Sequence, residues 1–290
     1  MASPEPTIDD LRRAIDAIDD AMHDLVMRRA DLAASVRARA PDGAAAIHPA
    51  REAAIPRRLL RRHRGPFPGH ALVRIWCELI SGAAHMGQPF SVAVHAPEKS
   101  VGYWDVARDH FGSATHMTLH RSARRVVREV AERRAAIGVL ALPSDGEPDP
   151  WWPLLMGAEA ETPRVVARLP FVDNAAGRFE DLGALAIARI GHEPTDEDAT
   201  LFALELGPEL SRARLRESMT KAGFEAEDVA AWSAAEDESA RLALIEVRGH
   251  VGTDDRRFAE LEAVIGKALP RIVRLGAFAI PIGTIAAQGR

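Results

Sequence analysis

Apolar residues recur at three- and four-residue steps through Leu11, Ile15, Ile18, Met22, Leu25, Val26, Leu32 and Val36, the spacing of one helical face. The pattern predicts a single long helix over residues 7–40. Thr7 ahead of Asp9 and Asp10 supplies its start, with acids at the positive end of the helix dipole, and Pro41-Asp42-Gly43 supplies its stop. A second helix is predicted from Pro49 to His63. A third follows Gly65-Pro66-Phe67-Pro68-Gly69 and runs from His70 to Met86. At the helical rise the first of these is about 50 Å long. The two shorter helices cannot cover its apolar stripe, so a lone chain leaves much of it wet. Dimerisation through these helices is the natural remedy.

From Pro89 the period changes. Phe90–Val94 reads as a strand, Trp104–Phe111 and Ala123–Arg133 as helices, and Ile137–Leu142 as a second strand, the order of an α/β lobe. Residues 143–153 are loop-rich and carry Trp151 and Trp152; adjacent tryptophans either stack on a ligand or, more often, anchor a loop to the body. From Ala199 the order is strand (Leu201–Leu206), helix (Arg212–Ala222), two strands (Val229–Trp232, Leu242–Val247), helix (Arg256–Leu269) and strand (Ile272–Ile280). This is the βαββαβ order of ferredoxin-like units, which by itself says little about activity. The chain is therefore expected to be multidomain: an all-α segment over 1–89, a reduced α/β lobe over 90–197 and a ferredoxin-like unit over 198–290.

Composition removes several functional classes. A net charge of −5 argues against a nucleic-acid partner, and the cluster Arg57-Arg58 with Arg61-Arg62-His63-Arg64 reads as a solvated helix face. No apolar run reaches the length of a membrane span, and the acidic N-terminus lacks the profile of a signal peptide. The single cysteine, Cys77, rules out an internal disulfide and fits a reducing cytosol, so a cytoplasmic location is expected; it is expected to be a small buried hydrophobe. The eleven histidines show no metal-ligand spacing, so no metal is expected. Lysine occurs only at Lys99, Lys221 and Lys267, which leaves arginine to fill every cationic role in the helical segment.

That segment carries Arg12, Arg29, Arg51 and Glu52. An arginine fork binds a carboxylate through two parallel charge-assisted hydrogen bonds, so two or three arginines suit a small dicarboxylate. Arg12 and Arg29, however, stand 17 residues apart on one helix, about 25 Å. If both hold one small ligand, they come from different chains.

Leu11-Arg12, Ile15-Asp16-x-x-Asp19, Arg28-Arg29, Pro49-x-Arg51-Glu52 and Gly65-Pro66-Phe67 together resemble the all-helical class of chorismate mutase over residues 7 to 88. The resemblance implies a cofactor-free rearrangement of chorismate to prephenate in a homodimer whose sites are shared between chains. It implies that Arg12 of one chain and Arg29 and Arg51 of the other hold the two carboxylates, and that Glu52 accepts the ring hydroxyl. Such a reaction needs the substrate folded into its reactive conformer and charge stabilised on the breaking ether oxygen. Here the sequence departs from the family. The lysine aimed at that oxygen falls on Ala40, flanked by Arg37 and Arg39, of which Arg39 is the preferred substitute. The second donor, late in the third helix, falls on Gly87, with Gln88 one step away. Loss of such a donor typically costs about 100- to 1,000-fold in rate, so weak activity is expected.

The remaining segments resemble the region that follows the mutase in bifunctional chorismate mutase–prephenate dehydratases, through Val92–Pro97 with Tyr103-Trp104-Asp105-x-Ala107 and through Ile137–Pro143. The family's Thr-Arg-Phe motif falls near Gly183-Ala184-Leu185 without its threonine, which implies a scaffold lacking dehydratase activity. Leu244–Val247 with Gly249-His250, and Leu275–Phe278, resemble an ACT regulatory domain. Its amino-acid-binding stretches fall on Gly207-Pro208-Glu209-Leu210 and Ala231–Ala235, the latter without the family's arginine and proline, so a structural role is expected, with an aromatic amino-acid effector as the alternative. The alternatives to an active mutase are a non-catalytic regulatory partner of another enzyme of the same pathway and an aromatic amino-acid sensor.

Overall fold

The computed structural model describes residues 5–41, 47–87, 90–97, 102–172, 182–234 and 237–283. Helix α1 (Ile8–Arg37) starts at a reciprocal cap: the Thr7 hydroxyl accepts from the Asp10 amide and the Asp10 carboxylate accepts from the Thr7 amide. It ends three residues earlier than the apolar pattern predicts, with Ala38–Ala40 in a turn in which the Ala40 amide donates to the Arg37 carbonyl. Helices α2 (Pro49–Arg62) and α3 (Gly69–His85) follow the pattern closely, α2 opening on Pro49 where a missing N–H costs nothing.

No residue of α1 is buried. Ile15, Ile18, Met22 and Leu25 are 57, 58, 53 and 63 % exposed along its apolar stripe. Its C-terminal third leans on α3, and the remainder projects. The other two helices are seated: Ala84 of α3 joins the core beneath α4 (Gly102–Phe111), while Ala53 and Val73 pack with Phe171, Val172 and Ala279. Arg57 differs from the solvated position expected of it. It is buried, donates to the Ile280 carbonyl and lies over the Phe171 ring, fixing α2 to the body.

Strand β1 (Ser91–His95), α4, β2 (His116–His120), α5 (Ala123–Ala131) and β3 (Ile137–Ala141) wind a parallel unit of order β2-β1-β3. Two further strands, β4 (Arg164–Leu169) and β5 (Ala184–Ala188), pair antiparallel with each other, and β5 pairs antiparallel with β3. β2, β4 and β5 were not expected from the periodicity of the sequence. β2 is a sheet edge that buries only Met117, and β5 is Ala-Leu-Ala-Ile-Ala, buried on both faces and built mainly from a weak strand former. The third segment is β6 (Asp198–Leu206), α6 (Arg212–Lys221), β7 (Ala226–Ala234), β8 (Asp237–Arg248), α7 (Arg256–Ile265) and β9 (Arg271–Ala279). Its strands run antiparallel in the order β9-β6-β8-β7, the ferredoxin-like arrangement.

The two β regions are one sheet. β4 pairs parallel with β9, giving nine strands in the order β2-β1-β3-β5-β4-β9-β6-β8-β7 across the boundary expected near residue 197. Because side chains alternate along a strand, Ala93, Leu140, Leu185, Ile187, Leu201 and Phe278 enter one continuous core beneath α5 and the 3-10 turn Trp152–Met156. The opposite face holds two cores, one under α4 and one under α6 and α7. Trp151 and Trp152 are anchors in the shared core: both are buried, and the Trp151 indole N–H donates to the Ala141 carbonyl at 3.1 Å.

Candidate active site

The convergence of α1, α2 and α3 gathers three of the six expected residues, Arg29, Arg51 and Glu52. Arg29, half-buried, donates from Nη1 to the Leu79 carbonyl of α3 at 3.0 Å. Burial, and then the neighbouring Arg51 guanidinium, hold its pKa below the usual arginine value. Arg51 is exposed at the first turn of α2. Glu52, the next residue of α2, accepts from the His48 amide at 2.9 Å. Burial raises its carboxyl above the usual glutamate range, and that hydrogen bond offsets only part of the shift. Cys77 of α3 stands close by: burial, then the Glu52, Glu78 and Asp109 carboxylates, push its thiol up to about 12.

Arg12 is remote from this cluster, exposed on the projecting part of α1 and paired with Asp9 at 3.4 Å. Arg39 turns back on its own chain beyond the helix end, donating to the Ser35 carbonyl at 2.6 Å. Gln88 lies outside the described residues. Arg37, the other flank of Ala40, crosses to α3 and donates from Nη2 to the Ala83 carbonyl at 2.8 Å. The early end of α1 accounts for the difference: Arg37 is still in helical register, whereas Arg39 and Ala40 have left it. On its other side, Arg51 lines a cleft of about 320 Å³ with Arg57, Arg61, Glu193 and Asp196, closed by an Arg61–Asp196 contact of 3.4 Å.

Residues 11–86 match the family model described as chorismate mutase type II. The N-terminal helices are a chorismate mutase domain. A bifunctional chorismate mutase/prephenate dehydratase of Aquifex aeolicus is 33% identical over 136 residues, covering 45% of this chain and 37% of the relative. A Pseudomonas aeruginosa protein of the same description is 29% identical over 47% of this chain and 39% of its own length. The chain thus spans under two-fifths of the length of these curated relatives. Among solved structures, the prephenate dehydratase of Streptococcus mutans overlaps 67% of this chain and 99% of its own, at a TM-score of 0.45 and 13% identity.

Arg29, Arg51 and Glu52, expected from the sequence as site residues, stand near one another, and Cys77, expected as a small buried hydrophobe, packs against the apolar cluster between α2 and α3. Cys77 falls one helical turn after Val73 on the face of α3 that packs beside α2. Among the described residues no group of His, Cys, Asp and Glu is arranged to hold a metal ion, and no helix is long and apolar enough to cross a membrane.

Proposed function

We propose that the chain is a chorismate mutase that converts chorismate to prephenate in a homodimer, with residues 1–89 as the mutase unit. The observation that carries this reading is the split of the arginines. Arg29, Arg51 and Glu52 meet where the three helices converge, while Arg12 stands about 25 Å away on the uncovered part of α1. Pairing two copies along α1 covers the exposed Ile15, Ile18, Met22 and Leu25 and brings Arg12 of a second copy to each cluster. Arg12, Arg29 and Arg51 then hold the two carboxylates, and Glu52 accepts the ring hydroxyl.

The sheet-bearing remainder serves as a scaffold without dehydratase activity: residues 90–197 as the dehydratase-like segment and 198–290 as an ACT-like unit. The position of the missing threonine lies at the start of β5, where Ala184 and Leu185 are buried and carry no hydroxyl. Residues 231–234 run within strand β7, leaving no loop there to close on an amino acid; Ala235 lies outside the described residues.

The test is loss of chorismate absorbance with the purified full chain, with the product identified. Prephenate is expected. Phenylpyruvate would assign dehydratase activity to the second segment, and no turnover would transfer the assignment to a non-catalytic regulatory partner.

A further inference from the structure

Of the two departures from the mutase pattern, Gly87 lies against the Arg37 side chain, and Ala40 follows Arg37 by three residues, its amide donating to the Arg37 carbonyl. Arg37 is the last residue of α1, and its half-buried guanidinium donates to the Ala83 carbonyl near the C-terminus of α3. It also fills the space beside Gly87: a Cβ built there collides with the Arg37 Nη1, Cζ and Cδ atoms. The absence of a side chain at 87 is thus what gives the guanidinium its place. Arg29 and Arg37 bond Leu79 and Ala83, one α3 turn apart, about 6 Å along the axis. Two cations are therefore held on one ridge of α3 at the scale of a small dicarboxylate.

We infer that Arg37 is the ether-oxygen donor of this site, replacing both missing groups. This rests on the mutase reading above. In the rearrangement the ether C–O bond breaks as a C–C bond forms within the same molecule. No proton or electron leaves, and the chemical demand is stabilisation of the negative charge that grows on the oxygen. A guanidinium is a donor fixed in charge at any working pH, and one already held by a carbonyl needs little reorganisation to meet that charge. Lysine is absent from the first 98 residues. Arg39 bonds its own helix end, on the exposed side. The competing role for Arg37 is a cap on the carbonyls that end α3, which would contribute to stability and leave the chemistry alone.

The two roles separate in steady-state kinetics of the full chain. Arg37→Ala is expected to lower kcat about 100- to 1,000-fold with KM little changed. Added guanidinium ion should restore part of that rate, which a lost cap would not allow. Arg37→Gln keeps bulk and a hydrogen-bond donor toward Ala83, and should retain the helical circular dichroism while losing the rate. Gly87→Ala should displace the guanidinium and lower kcat in the same direction. A variant Arg37→Ala within about threefold of the wild-type kcat overturns the assignment, as does a loss confined to Arg39→Ala. Absence of prephenate from the wild-type chain overturns the mutase reading itself, and this role with it.

Discussion

Gly276 of β9 lies directly against the backbone of Val165 in β4, at the registered pair through which these two strands join the two β regions. A Cβ at 276 collides with the Val165 carbonyl oxygen, and the φ of +146° is one that side chains other than hydrogen rarely tolerate. Gly276→Ala is expected to cost on the order of 2 kcal/mol or more. In urea, it should separate a single unfolding transition into two as the sheet parts at this seam; an unchanged midpoint would show that the seam carries no load.

Arg51→Ala is expected to abolish prephenate formation, and a fully active variant would remove the mutase assignment. Mixing gives a sharper result. Chains carrying Arg12→Ala and chains carrying Arg51→Ala are each inactive alone. Unfolded together and refolded, half of the dimers are mixed and each holds one intact site, so about a quarter of wild-type activity should return. No recovery would show that both arginines act within one chain.

In the proposed homodimer the exposed stripe of α1 carries the interface. Leu25 is 63 % exposed at its middle, and Leu25→Asp buries a charge in any interface built along it. Sedimentation should show a monomer, with turnover falling in parallel because Arg12 no longer reaches the other chain. A monomeric wild type would sink the shared-site scheme.

Burial raises the Glu52 carboxyl, with the His48 N–H opposing only in part. A carboxyl raised in the folded state contributes stability that is present below its unfolded pKa and lost as pH climbs through the folded value. Glu52→Gln removes that titration. The melting temperature of the variant relative to wild type should therefore grow from about pH 4 to about pH 7. A difference that stays flat would mean Glu52 ionises as it does in water.

The Cys77 thiol, pushed up to about 12, carries almost no thiolate near pH 8, where an ordinary cysteine has a substantial fraction. Iodoacetamide at about pH 8 should leave the native chain unmodified and label the urea-unfolded chain fully at its one cysteine. Rapid labelling of the native chain would place Cys77 in solvent instead of beside Glu52.

Much of this protein was legible before any coordinate. The period of α1, the arginine spacing and the βαββαβ order are local signals, set by hydrogen bonds four residues apart and by side chains alternating along a strand. The same arithmetic showed that Arg12 and Arg29 cannot share a ligand within one chain. It did not reach β5, whose short apolar run carries no alternation because both faces are buried, or β4, where two arginines interrupt the apolar positions.

Sequence alone determined the three helices, an apolar stripe in need of a partner, and an arginine set suited to a dicarboxylate. Tertiary structure decided that Val165 and Gly276, 111 residues apart, fuse two expected units into one sheet. It also decided that Arg37 and not Arg39 reaches α3. Both outcomes depend on where a chain end or a long side chain meets a distant backbone. No local period encodes that, because it is settled by packing between elements far apart in sequence.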